Sequence, residues 1–191
     1  MFKKSLFFLS IISVFLLFSS YAKAEVSGEV QYILNTFLFL VSGFLVMWMA
    51  AGFAMLESGL VTSKSVSTIA AKNIGLYSIA GVMFWLVGYN MAYGIPEGGF
   101  IGSPIPWSDA SALDTGYSDG SDWFFQMVFC ATTCSIVSGT LAERIKIWPF
   151  FIFCAILTGF IYPIEMGWQW GGGYLAAVSY THLRAHETNQ D

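Results

Sequence analysis

Four stretches of this sequence are apolar, free of Asp, Glu, Lys and Arg, and long enough to cross a bilayer as helices: Ile33 to Met55, Ile74 to Tyr93, Trp123 to Leu141 and Ile147 to Ile164. Nothing else constrains the fold as strongly. A chain inside hydrocarbon must satisfy its backbone N–H and C=O groups internally, and a helix does so within a single segment. The runs show neither the alternation of a half-buried strand nor the 3.6-residue stripe of a soluble amphipathic helix. Composition agrees, because 56% hydrophobic and 10% charged residues leave too little charge to cover a water-facing surface. The expected fold is all-α, a polytopic transmembrane helix bundle with the lipid bilayer as its solvent.

Residues 1–24 read as a cleavable signal peptide. Lys3 and Lys4 form the positive start, Leu6 to Phe18 the apolar stretch, and Ala22-Lys23-Ala24 a small-x-small cleavage site. The mature chain then begins at Glu25; the competing reading retains this stretch as a first membrane helix. Cleavage removes Lys3, Lys4 and Lys23 and leaves five basic residues against twelve acidic ones, a net charge of about −7 that argues against nucleic acid as a partner.

The connectors set an orientation. Glu57 to Asn73 contains Lys64 and Lys72, and the turn Glu143-Arg144-Ile145-Lys146 contains two more basic residues, which places both connectors in the cytoplasm. The intervening connector, Gly94 to Asp122, holds Pro96, Pro104 and Pro106 with Glu97, Asp109, Asp114, Asp119 and Asp122, has no Lys or Arg, and falls outside. The signal peptide independently puts the mature N-terminus outside, in an inner (plasma) membrane. Pro149 suits the first turn of the fourth span and Pro163 its end.

The spans offer Ser, Thr and Cys with no His, Asp or Glu partner at membrane depth, so an enzyme is not expected. Cys130, Cys134 and Cys154 read as small buried hydrophobes, and neither a cofactor nor a metal site is expected. Gly81, Gly88 and Ala92 share a helical face that admits a close neighbour. Phe125 and Phe129 lie one turn apart in the third span, with Thr132, Thr133 and Thr140 following on their face and Cys130 and Cys134 pointing away. Trp168 and Trp170, placed just beyond the end of the fourth span, reach the same outer side, followed by Gly171-Gly172-Gly173. An interfacial aromatic belt accounts for such rings. So does a vestibule recruiting a small cation at roughly 0.5 to 2 kcal/mol per ring face. Glu57 and Glu143 are the acids nearest the membrane on the cytoplasmic side, Glu143 beside Arg144 reading as a structural pair at a helix end.

The runs Ala51-Gly52-Phe53-Ala54-Met55-Leu56-Glu57-Ser58-Gly59-Leu60-Val61-Thr62-Ser63-Lys64, Gly88-Tyr89-Asn90-Met91-Ala92-Tyr93-Gly94, Gly139-Thr140-Leu141-Ala142-Glu143-Arg144 and Trp170-Gly171-Gly172-Gly173, in this order, resemble the ammonium transporter family (Amt/Mep/Rh) from about Gln31 to Val178. The resemblance implies a channel-like transporter of ammonium or ammonia, in which Trp170, Phe125 and Phe129 form the outer substrate-binding site and Phe129 belongs to the gate below it. It also implies a homotrimer of eleven-span subunits and, in the sensing members, a cytoplasmic regulator of the P-II type. From Ser179 to Asp191 the sequence departs into a polar tail, expected to be foreign. The family's paired pore histidines, second gating phenylalanine and outer-site hydroxyl would lie beyond that point, so a chain of this extent is expected to be inactive alone. His182 and His186 are not read as that pair or as a metal site.

Overall fold

The computed structural model describes residues 27–110 and 113–176; the expected signal peptide and tail lie outside them. The described residues form helices and loops with no strand. The fold is a polytopic transmembrane helix bundle of four rods.

The first rod, α1 (Gly28–Leu60), starts where the Ser27 hydroxyl accepts the Val30 N–H at 3.4 Å, with Glu29 in the first turn. At 1.5 Å per residue it is about 50 Å long, well beyond a hydrocarbon core of ~30 Å. The apolar run from Ile33 to Met55 marks only the part that hydrophobicity dictates. The helix continues until Val61 turns extended.

After a 3₁₀ turn, Ser63–Ser65, the second rod comprises α2 (Val66–Met83), a π-turn (Phe84–Gly88) and α3 (Tyr89–Tyr93). The connector expected over Glu57 to Asn73 therefore shrinks at both ends. Glu57 lies in α1, and Lys72 and Asn73 lie in α2. Lys72 is thus no connector charge: it is 4% exposed and ion-paired to Glu57 at 3.1 Å. Pairing lets both helices carry charge past the limit that a hydropathy reading sets.

The third rod, α4 (Asp119–Thr140), begins inside the expected connector and takes Asp119 and Asp122 into its first turn. It is the most enclosed helix and packs against α1, α2 and the fourth rod. Three helical stretches are long and apolar enough to cross a membrane by composition, Gly28–Leu60, Ser63–Tyr93 and Ile147–Ala176, and α4 is not one of them. Its neighbours shield it, so it tolerates Ser, Thr and Gln. Thr132 and Thr133 donate to carbonyls one turn back, at 2.8 and 3.3 Å. Thr132 is buried, so it does not share the open face of Phe129.

The fourth rod comprises α5 (Ile147–Ile156), a π-turn (Leu157–Ile161) and α6 (Tyr162–Trp170). Pro163 does not end this helix. A proline ring collides with the carbonyl four residues back, and the wider π-turn immediately before it relieves that collision. Trp168 and Trp170 consequently stand on the helix and not beyond it. Cys130 donates to the Thr158 carbonyl in the π-turn at 3.5 Å, and Cys134 and Cys154 are buried between the third and fourth rods.

Gly88 and Ala92 do receive a neighbour. A Cβ on Gly88 would lie 3.1 Å from Pro163 Cγ and 3.1 Å from the Thr158 carbonyl oxygen, and one on Gly171 would lie 2.0 Å from the Ala92 carbonyl oxygen. Gly81 does not join them, its nearest neighbour being Met127 Sδ at 3.9 Å on α4. The π-turn between Gly81 and Gly88 changes the angular phase of the rod, so residues that share a face on an ideal helix address different partners.

The connector Gly94 to Ser118 folds back over the end of the bundle that carries Trp170. Asn90 Nδ2 donates to the carbonyls of Ile105 and Pro106, both at 3.1 Å, and the Trp107 N–H to the Trp85 carbonyl at 2.8 Å. The Ser118 N–H reaches Thr36 Oγ1 at 2.9 Å, tying the connector to α1.

Candidate functional site

At this end a cavity of 390 Å³ opens among the second, third and fourth rods, lined by Tyr93, Phe125, Gln126, Phe129, Tyr162, Met166 and Trp170. The three residues singled out from the sequence, Trp170, Phe125 and Phe129, line the same cavity. Trp170 is 74% exposed at its mouth and Phe129 36% exposed in its wall. Phe125 stands edge-on to Phe129, ring centroids 5.1 Å apart, and edge-on to Phe39 of α1 at 5.3 Å. These contacts fix the two rings as a pair. Trp168 takes no part: its indole N–H donates to the Phe100 carbonyl at 2.6 Å, holding the connector against α6.

Sequence reasoning missed Tyr93, Gln126, Tyr162 and Met166. Tyr162, Met166 and Trp170 follow one another at four-residue intervals, a one-face helical pattern. That signal was hidden by ending the fourth span at Pro163. Gln126, the one amide in its apolar run, was visible as an oddity.

Directly behind the cavity wall lies Asp122, 6% exposed. It accepts the Tyr89 hydroxyl at 2.6 Å and Gln126 Nε2 at 3.2 Å. A buried carboxylate needs such donors to offset its lost hydration. The cavity is therefore lined by aromatic faces and two tyrosines, has a carboxylate one shell away, and has no Lys, Arg or His in its wall. Among the described residues no cluster of His, Cys, Asp and Glu could hold a metal ion.

The opposite end is organised differently. Glu57, 1% exposed, accepts Ser138 Oγ at 2.9 Å besides Lys72, and Lys72 Nζ donates to the Ser138 carbonyl at 2.9 Å. Lys72 also stands over the Phe150 ring, 5.0 Å from its centroid. One ion pair thus joins all four rods. Glu143 does not pair with Arg144, whose guanidinium donates to the Thr140 carbonyl at 3.3 Å. Its carboxylate accepts both the hydroxyl and the N–H of Thr62. Those bonds, with the Thr62 hydroxyl first, hold the Glu143 carboxyl below its ordinary range. Its backbone lies at φ 61°, a left-handed conformation that a non-glycine residue adopts at some cost.

Comparison with known proteins gives one consistent result. The Ammonium Transporter Family profile matches residues 37–186. The match runs past Val178 and so does not mark the boundary expected at Ser179. Ammonium transporter Amt2 of Archaeoglobus fulgidus is 38% identical over 141 residues, 74% of this chain and 30% of the relative. Ammonium transporter Amt1 of Haloferax mediterranei is 36% identical over 143 residues, 74% and 27% respectively. The solved structure of a protein named Sensor Amt Protein superimposes with a TM-score of 0.67 at 30% identity, covering 75% of this chain and 35% of that one. The chain spans about a third of the length of the curated relatives it matches. A helical membrane bundle, its likeness to a solved Amt structure and a profile match over most of its length lead to one assignment: the chain belongs to the ammonium transporter family.

Proposed function

We propose that this chain supplies the outer recruitment site and one wall of a pore for transmembrane transport of ammonium or ammonia. The observation that carries the reading is the convergence of Trp170, Phe125 and Phe129 on one 390 Å³ cavity that has no basic residue in its wall. Trp170 binds the cation through its ring face at the mouth, Phe125 and Phe129 line the route inward, and Phe129 is part of the gate. Lys64, Arg144 and Lys146 lie toward the other end, so the cavity faces outward in an inner membrane by the excess of basic residues on the cytoplasmic side. The signal peptide before Glu25 fits that orientation. An ion recruited by rings still faces many kcal/mol of desolvation in an apolar pore. The residues that relieve that cost belong to the parts of the relatives that this chain does not span, and the working assembly is a homotrimer.

Uptake of labelled methylammonium by cells expressing the complete gene product tests the reading. Trp170→Leu is expected to lower uptake at sub-saturating concentration roughly three- to thirty-fold, the loss of one cation–π contact. Unchanged uptake would remove Trp170 from the site. Liposomes carrying only this chain are expected to conduct no methylammonium, and conduction would contradict the partial-pore reading.

The likeness to a protein named as a sensor favours a second reading, in which the cation site reports ammonium to a cytoplasmic P-II-type regulator. Lys64 and Arg144, both exposed, are the docking charges it requires. Binding of a purified P-II protein that survives Lys64→Glu and Arg144→Glu would count against it.

A further inference from the structure

Hydrogen-bond chemistry fixes which way the Gln126 amide faces. A carboxylate can only accept, and Asp122 accepts Gln126 Nε2 at one oxygen and the Tyr89 hydroxyl at the other, at 3.2 and 2.6 Å. The NH₂ end of the amide is therefore committed to Asp122, on the same face of α4 one turn earlier. Gln126 lines the cavity with Phe125, Phe129, Tyr93, Tyr162 and Trp170, and its carbonyl oxygen is the amide atom that Asp122 does not engage. We propose that Gln126 Oε1 accepts a hydrogen bond from the N–H of the bound cation, that Asp122 is the positioning residue that keeps it turned that way, and that the pair makes the site prefer cations bearing N–H over fully alkylated ones.

The rings alone cannot supply that preference. A π face attracts a quaternary ammonium as it attracts ammonium itself. A carbonyl oxygen aimed at the cation separates them, because a quaternary ion leaves that acceptor desolvated and unpaired. The negative charge of Asp122 acts on both kinds of cation. Preference and attraction therefore come from different atoms: preference from Gln126 Oε1, attraction from the rings and Asp122. The inference rests on the cavity being a cation site and adds the basis of its selectivity.

Calorimetric titration of the chain in lipid nanodiscs with methylammonium chloride and, separately, tetramethylammonium chloride tests it. Gln126→Met is expected to weaken methylammonium about tenfold, the loss of one hydrogen bond to a charged group, and to leave tetramethylammonium within about twofold. Retained tetramethylammonium binding shows at the same time that the variant is folded. Asp122→Asn keeps an acceptor for Gln126 and loses the charge, so both cations weaken by the same factor. Asp122→Leu also frees the amide to turn, and the ratio of the two affinities falls. Equal weakening of both cations by Gln126→Met, or an affinity ratio unchanged in Asp122→Leu, overturns the proposal. Should Gln126→Met not fold, the two Asp122 variants decide it by that ratio. If wild-type protein binds neither cation, the cation-site reading itself fails, which is a different outcome from binding without preference.

Discussion

Lys72 illustrates how one residue's environment inverts its sequence meaning. Read along the chain it was a basic connector residue. In the fold its ammonium and the Glu57 carboxylate neutralise each other among four rods, 3.1 Å apart. Removing one partner leaves a buried charge uncompensated, so Lys72→Met is expected to destabilise by about 3 kcal/mol. The double variant Glu57→Leu with Lys72→Met should regain most of that, since two apolar side chains of similar volume need no pairing. Thermal unfolding in detergent measures both; a double variant no more stable than the single one would mean that the pair does more than neutralise itself. Glu143 gives the pH-dependent counterpart. Its carboxyl is held below its ordinary value in the fold, chiefly by Thr62, so its stabilising contribution is present above that ordinary value. It is lost as the pH falls through the lowered value. Glu143→Ala should therefore flatten the acid side of the stability profile and leave stability least altered at the lowest pH. A profile that keeps its full acid slope would exclude Glu143 as a contributor.

At the scale of elements, the π-turns at Phe84–Gly88 and Leu157–Ile161 decide most of what the sequence did not reveal. They lie against each other, they let the fourth rod continue past Pro163, and they rotate Gly88 and Ala92 onto that rod. Hydrophobic runs reported where helices must cross lipid, and motif residues reported Trp170, Phe125 and Phe129. Neither kind of signal reports a single extra residue in a helical turn. Asp122 was equally hard to read, because an acid next to a Pro-rich loop looks solvent-facing until Tyr89 and Gln126 are folded against it. The glycines test this packing directly. Gly171→Ala places a Cβ 2.0 Å from a backbone oxygen, an overlap no side-chain rotation relieves, and is expected to cost about 3 kcal/mol. Gly81→Ala, with nothing nearer than 3.9 Å, should be neutral or stabilise by about 0.5 to 1 kcal/mol through helix propensity. Melting temperatures of the two variants rank them, and the reverse order would contradict the rod crossing.

For the whole molecule, the two ends of the bundle divide the work. The Glu57–Lys72 and Glu143–Thr62 links fasten one end, and the aromatic cavity with Asp122 behind it opens at the other, beneath a connector anchored to α1 and α6. The central claim is that this cavity binds ammonium-type cations through Trp170, and equilibrium binding of labelled methylammonium to the chain in nanodiscs tests it most directly. Trp170 is 74% exposed, so Trp170→Leu empties no core and compares two folded proteins. Saturable binding that weakens roughly three- to thirty-fold in the variant is the predicted result. Binding of equal strength in the two proteins, or none in either, would contradict it.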